Sequence, residues 1–202
     1  MKKLLIPLVM ILTLGAITLR AADDKKDDAK PADEVAVIHT SEGDLVIGFW
    51  PDVAPNTVAN FKKLAKDGVY DGTLFHRIVK GFMIQGGDPN TKKPESPDNA
   101  WGTGGSGTNI KAEFNEKHHE RGVISMARSQ DPDSASSQFF VCLGDAGFLD
   151  HKYTAFGKLI KGDDVLEKLG NTQVVESHGE MSKPVKPPVI ISVKIVPADS
   201  IK

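Results

Sequence analysis

The chain has 202 residues, of which 40% are hydrophobic and 26% charged, with a formal net charge of -2 and a pI near 6.3. That is an ordinary globular composition with room for one sizeable core, and the absence of a dense Lys/Arg stripe excludes nucleic acid as an expected partner. The single cysteine, Cys142, rules out an intramolecular disulfide, and between Val141 and Leu143 it reads as a small buried hydrophobe.

The N-terminus runs MKK, then sixteen apolar or small residues over 4–19 (LLIPLVMILTLGAITL), then Arg20, Ala21 and Ala22. This is the layout of a secretory signal, and the run is short of the roughly 20 residues that a spanning helix needs. A signal peptide is expected over 1–22, cut near residues 16–22, with retention as an N-terminal anchor as the alternative. The expected address is periplasmic or extracellular, membrane-tethered where the signal is kept. Residues 23–34 (DDKKDDAKPADE) are nearly all charged, Ala or Pro, and predict a disordered linker ahead of a single domain over 35–202.

VAVIHT and DLVIGFW, separated by SEGD, predict an opening hairpin. In PDVAPNTVANFKKLAKDGVY, Val58, Phe61, Leu64 and Ala65 recur at helical spacing after an Asn56-Thr57 cap, and Gly68 supplies the stop. FHRIVK and FMIQGG read as strands around Lys80-Gly81. Residues 88–107 form a loop too long for a passive connection. GVISMAR, SQFFVCL and YTAFGKLI predict three more strands, GDDVLEKLG a short second helix and VIISVKIV a last strand. Many short strands with two helices imply a mostly antiparallel sheet or barrel.

Several motifs do not carry their usual chemistry. Residues 102–107, GTGGSG, match a dinucleotide fingerprint but follow a polar loop in place of a strand, so a glycine-rich turn is the better interpretation. His118-His119 lack a ligand at metal spacing and predict a solvated turn. Asp131-Pro132-Asp133 lacks the glycine and closing glutamate of a calcium loop. Ser134, Ser136 and Ser137 have no nucleophile elbow. Neither metal nor cofactor is expected.

The informative stretch is FHRIVKGFMIQGGDP, residues 75–89, where one arginine and one glutamine stand among apolar side chains with no base or nucleophile beside them. Together with GTGG, ISMAR, SSQFF and FLDHKYTAFGKL in that order, it resembles the cyclophilin family of peptidyl-prolyl cis-trans isomerases, over residues 35–196. The resemblance implies a closed eight-stranded antiparallel β-barrel capped by two α-helices, and rotation about X-Pro bonds in proline-containing polypeptides. It implies a catalytic role for Arg77, with Phe82 and Gln85 beside it. Met83, Phe140 and Leu149 correspond to the walls of the proline pocket, and Ala127 and Gln138 to the backbone groove. Thr103 corresponds to the border of a neighbouring pocket. Phe148 and Tyr153 stand where many eukaryotic members carry tryptophan and histidine, as in the exported bacterial branch. Without the indole N-H, cyclosporin binding is expected to be weak at most.

Arg128 stands where an asparagine is common, and it leaves substrate-backbone bonding there undefined. His76 is expected to be structural and hydrogen-bonded in place. A rival interpretation is a proline-binding or chaperone-like module, in which Arg77 would be dispensable; a dinucleotide enzyme is a third. With no heptad or apolar surface stripe, a monomer is expected.

Overall fold

The computed structural model describes residues 34–92 and 100–201; the expected signal peptide over 1–22, the linker as far as residue 33 and the middle of the 88–107 loop lie outside the described residues. Glu34, expected to end the linker, is the first residue of β1 (Glu34–Thr40), which pairs antiparallel with β2 (Gly43–Phe49) as the predicted hairpin. Successive side chains on a strand point to opposite faces. Ala36, Ile38, Leu45 and Ile47 enter the main core, while Val35, Val37 and Val46 form an outer cluster with Val196, Ala198 and Ile201. The valines that look redundant in sequence have their own cover.

Among the described residues, nine strands form one sheet. Their order is β3 (Thr73–Leu74), β11 (Val189–Pro197), β1, β2, β8 (Ala155–Lys161), β6 (Val123–Met126), β7 (Phe139–Cys142), β5 (Met83–Gly86) and β4 (Arg77–Val79). The resemblance implies eight strands in a closed barrel, and the difference lies in one segment. β3 and β4 are the two edges of the sheet, yet only Phe75 and His76 separate them in the chain. Phe75 N-H bonds Pro188 O at 2.9 Å, next to β11, while His76 N-H bonds Gln85 O of β5 at 3.1 Å. The stretch 73–79 is thus a bent strand that changes partners at its middle. The hydrogen-bond ladder breaks there, and the covalent chain joins the two edges of the curled sheet.

The core is aromatic at its centre. Phe61 of α1 (Pro55–Lys66) stacks on Tyr70 with centroids 4.9 Å apart, and meets Phe139 at 5.5 Å and Phe156 at 5.3 Å. Leu166 and Leu169 of α2 (Asp163–Gly170) join the same core. The buried face of α1 includes the predicted Val58, Phe61, Leu64 and Ala65, and its end is as expected: Gly68 takes φ 69° and Val69 N-H returns to Leu64 O at 2.9 Å.

Its start differs from the expected Asn56-Thr57 cap. Ala54 occupies the N-cap without a side-chain bond, and the distant Glu113 carboxylate accepts the backbone N-H groups of Asn56 and Thr57 at 3.0 and 2.8 Å. The Asn56 amide and the Thr57 hydroxyl donate to the same carboxylate. Burial disfavours the charge on Glu113, but the bonds from Thr57 and Asn56 outweigh it and hold its pKa below the ordinary value. A carboxylate also suits the positive end of the helix dipole.

The sequence pattern predicts no element between α2 and β11. The structure has a second, two-stranded sheet there: β9 (Val174–Ser177) and β10 (Glu180–Pro184). His178 and Gly179 join them with φ of 54° and 81°, the two positive values that a tight primed hairpin turn requires.

Candidate active site

The register of three strands assembles the site. β4 against β5 sets Arg77 opposite Gln85 and Val79 opposite Met83; β5 against β7 sets Gln85 opposite Phe140 and Met83 opposite Cys142. By alternation Ile84, Phe139 and Val141 enter the main core, whereas Met83, Phe140 and Cys142 belong to a second cluster with Leu149 and Ala155. Phe82, Ala127 and Tyr153 pack against that second cluster. The site is therefore the outer face of the wall whose inner face is the core.

The outer face encloses a cavity of about 260 Å³ lined by Arg77, Phe82, Met83, Gln85, Ala127, Arg128, Phe140, Phe148, Leu149 and Tyr153. Thr103 and Gln138, the remaining predicted residues, line an adjoining cavity of about 190 Å³ that shares Gln85 and Ala127. All the predicted site residues are thus brought together, in two connected recesses. Phe140 meets Tyr153 edge to face at 5.8 Å, and Phe82 lies 5.4 Å from Phe148, which at 63% exposure forms the rim more than the wall.

One continuous line of polar side chains crosses this apolar surface. Gln138 Nε2 donates to Gly104 O at 2.8 Å, Gln85 Nε2 donates to Gln138 Oε1 at 2.9 Å, and Arg77 Nη1 donates to Gln85 Oε1 at 3.2 Å. Nη1 also lies 3.8 Å from Met83 Sδ, a weak acceptor on the cavity wall. The other edge of the guanidinium is held by Glu180 of β10: Nε donates to Oε2 and Nη2 to Oε1, both at 2.8 Å. These bonds from Arg77 hold the Glu180 pKa below its ordinary value. Glu180 is the site residue that sequence reasoning misses, and the signal that could have found it is the His178-Gly179 turn between VVES and EMSK.

Other residues differ from expectation. His76 is 7% exposed, and among the described residues neither ring nitrogen has a hydrogen-bond partner, contrary to the bonded role predicted for it. Burial pushes its pKa down, so the ring is neutral. His119, predicted in a solvated turn, is 1% exposed. Its Nδ1 meets Asp150 Oδ1 at 2.8 Å, its Nε2 meets Ser125 Oγ at 3.0 Å, and its ring stacks on Phe140 at 6.1 Å. Burial lowers the pKa of His119, and Asp150 overcomes its own burial through bonds from His119 N-H and both imidazoles, which hold its carboxyl far below the usual range.

Arg128 is occupied locally. It donates to Lys152 O at 3.0 and 2.8 Å and to Ser129 O at 2.8 Å, and its guanidinium lies 4.6 Å over the Tyr153 ring. It braces the rim of the pocket. The GTGG loop folds on a carboxylate of the protein itself, because Asp88 Oδ2 accepts Gly102 N-H at 2.5 Å and Gly104 N-H at 3.3 Å. A Cβ at position 104 would stand 2.1 Å from Asp88 Oδ1, so the glycine there serves close approach. Ser134, Ser136 and Ser137 donate to the backbone carbonyls of Asp131, Thr108 and Gly87. Cys142 is buried, which pushes its thiol up to about 12.

Comparisons with known proteins agree with this geometry. The family model described as cyclophilin type peptidyl-prolyl cis-trans isomerase matches residues 35–195. A probable peptidyl-prolyl cis-trans isomerase of Brucella abortus is 36% identical over 178 residues, covering 87% of each chain. A putative one from Staphylococcus epidermidis is 36% identical over 191 residues, covering 79% of this chain and 90% of that protein. Among solved structures, a cyclophilin type isomerase of Cryptosporidium parvum, crystallised in the presence of the dipeptide Ala-Pro, is similar with a TM-score of 0.70 and 34% identity, covering 80% of this chain and 98% of its own.

Proposed function

The chain belongs to the cyclophilin-type peptidyl-prolyl cis-trans isomerases, and from that membership we propose that it accelerates rotation about X-Pro bonds of exported polypeptides, with Arg77 as the donor that stabilises the twisted amide. The observation that carries the mechanism is the Arg77 guanidinium, held at both edges, on the wall of a cavity that it shares with Phe82, Met83, Phe140 and Leu149.

Rotation breaks no covalent bond and has only to cross the amide-resonance barrier, about 18–20 kcal/mol. As the bond twists, the proline nitrogen pyramidalises and its lone pair becomes a localised acceptor. A fixed N-H aimed at it is stronger in the transition state than in either ground state, which is the condition for acceleration. Arg77 has five N-H donors, of which Glu180 takes two and Gln85 one. Nη1 keeps one, beside Met83 Sδ at 3.8 Å, a partner weak enough for a proline nitrogen to replace. Phe82, Met83, Phe140 and Leu149 would hold the pyrrolidine and exclude water, and Gln85 and Gln138 would anchor a flanking carbonyl or N-H. The Ala-Pro dipeptide with the Cryptosporidium parvum relative supports proline-containing peptides as the substrate class.

Export rests on the MKK and apolar run of residues 1–22. A monomer with weak cyclosporin binding at most completes the proposal, the latter because Phe148 offers no ring N-H. The test is cis-trans exchange of an Ala-Pro peptide by NMR, comparing the parent domain with Arg77→Ala. The expected result is acceleration by the parent and a loss of about a hundredfold in the folded variant. No acceleration by a folded parent would leave a proline-binding module, and a fully active variant would remove Arg77 from the mechanism.

A further inference from the structure

Arg77 and Glu180 are both partly exposed, with side chains 36% and 40% accessible. A pair so exposed adds little to stability, about 0 to 1 kcal/mol. Its geometry is nevertheless specific. Two parallel N-H···O bonds, Nε to Oε2 and Nη2 to Oε1, fix a plane as well as a distance. Gln85 holds the same plane at a third point through Nη1, and Gln85 is itself fixed by Gln138 and, through it, by Gly104 O. Nη1, on the edge away from Glu180, lies 3.8 Å from Met83 Sδ on the wall of the proline pocket. The carboxylate comes from a hairpin outside the main sheet, one residue beyond a turn whose two positive φ values set its direction.

We propose that Glu180 is a positioning residue for the isomerisation: presented by β9 and β10, it locks the guanidinium plane of Arg77 so that an N-H of Nη1 stays directed into the proline pocket. This rests on Arg77 being the transition-state donor. Without Glu180, a half-exposed arginine held only by Gln85 regains rotamer freedom, and reordering it in each turnover costs rate. Substrate binding by the apolar walls is untouched, so the loss falls on kcat. The other titratable or charged groups facing the pair are His76, buried and neutral, and His178 and Lys183 of the hairpin.

The experiment is cis-trans exchange of an Ala-Pro peptide by NMR with the parent, Glu180→Gln, Glu180→Ala and Arg77→Ala. Folding is checked by thermal melting and the Arg77 Nε-H resonance is followed in 15N-labelled protein. In the glutamate variants kcat is expected to fall about tenfold, the rate equivalent of freeing one arginine side chain, with KM nearly unchanged and the Nε-H signal moved or broadened. The parent is expected to lose kcat as pH falls through the lowered pKa of Glu180, below the usual carboxylate range of about 4.3; Glu180→Gln stays flat there, a difference that a purely structural role would not produce. Parent-like kcat in both glutamate variants, with Arg77→Ala inactive, would overturn the inference and leave the mechanism standing. A raised kcat would make Glu180 a restraint on Arg77, and that also overturns it. Full activity in Arg77→Ala would overturn the mechanism and the inference together.

Discussion

Phe139 and Phe140 are adjacent in one strand, of one residue type and almost equally buried, at 0% and 5% exposure, yet they belong to different parts of the molecule. Phe139 points into the main core, where it meets Phe61 at 5.5 Å and Tyr70 at 5.6 Å. Phe140 points outward to Tyr153, over the buried His119, and lines the cavity beside Arg77. A single wall of β-sheet thus separates stability from chemistry by one step of the chain. The inner face is closed on all sides, whereas the outer face is packed on one side and open on the other.

That division makes its largest prediction at the pair itself. Phe139→Ala leaves an enclosed cavity and is expected to cost about 4 kcal/mol of unfolding free energy. Phe140→Ala opens onto a space that solvent already reaches, so the stability loss is expected to be smaller, about 2 kcal/mol, while kcat/KM falls at least about tenfold because a wall of the proposed proline pocket is gone. Urea unfolding and peptide exchange on both variants check the division. Equal stability losses, or an activity loss confined to Phe139→Ala, would break it.

The same division explains what could be read from the sequence. Alternating strands such as FFVC state which residues share a face, and the helix periodicity of α1 names its buried side. The cavity residues lie on such strands or in short motifs beside them. What escaped are carboxylates acting at long range. Glu180 reaches Arg77 from 103 positions away, Glu113 caps α1 from 57 and 56, and Asp150 holds His119 from 31. A sequence shows that such a carboxylate exists but not where its oxygens point. The split strand at Phe75 and His76 escaped for a related reason, since a change of pairing partner leaves no mark on local pattern.

Asp150 tests how far the outer face depends on what lies beneath it. Asp150→Asn removes the charge and one of the two acceptor oxygens that hold His118 and His119 and is expected to cost about 2 kcal/mol at neutral pH, with kcat/KM falling only severalfold, because Phe140 loosens but remains. The pH dependence has a defined sign. The folded pKa of Asp150 is depressed, so its contribution is present above the ordinary carboxylate value, about 3.9, and is lost as pH falls through the folded value. His119 also has a lowered folded pKa, so the unfolded chain binds its proton first and stability already declines below about 6.5. His118 opposes this, since its bond to Asp150 raises its pKa and favours the folded state on protonation. Urea unfolding across pH should show these contributions in the parent, whereas Asp150→Asn should lose the acid decline of Asp150 itself and the opposing effect of His118 but keep or steepen the His119 decline, because burial causes that shift and Asp150 moderates it. Parallel profiles for the two proteins would remove Asp150 as the origin of the first and the last of these contributions.

The smallest effect concerns a polar atom buried in the main core. Tyr70 is fully buried and stacked on Phe61, burial pushes the pKa of its hydroxyl far up, and among the described residues that hydroxyl has no hydrogen-bond partner. A buried hydroxyl without a partner is a cost to the fold, and replacing it by hydrogen leaves the ring packing intact. Tyr70→Phe is therefore expected to be neutral or to stabilise by up to about 1 kcal/mol, with peptide exchange unchanged because the ring lies on the far side of the wall from the pocket. Thermal and urea unfolding measure the first part, and NMR exchange the second. A destabilisation above about 1 kcal/mol would mean that the hydroxyl bonds an ordered water inside the core, and the inner face would then hold a polar contact of its own. A change in activity would mean instead that strain crosses from Tyr70 through Phe139 to Phe140, and the two faces of β7 would be coupled after all.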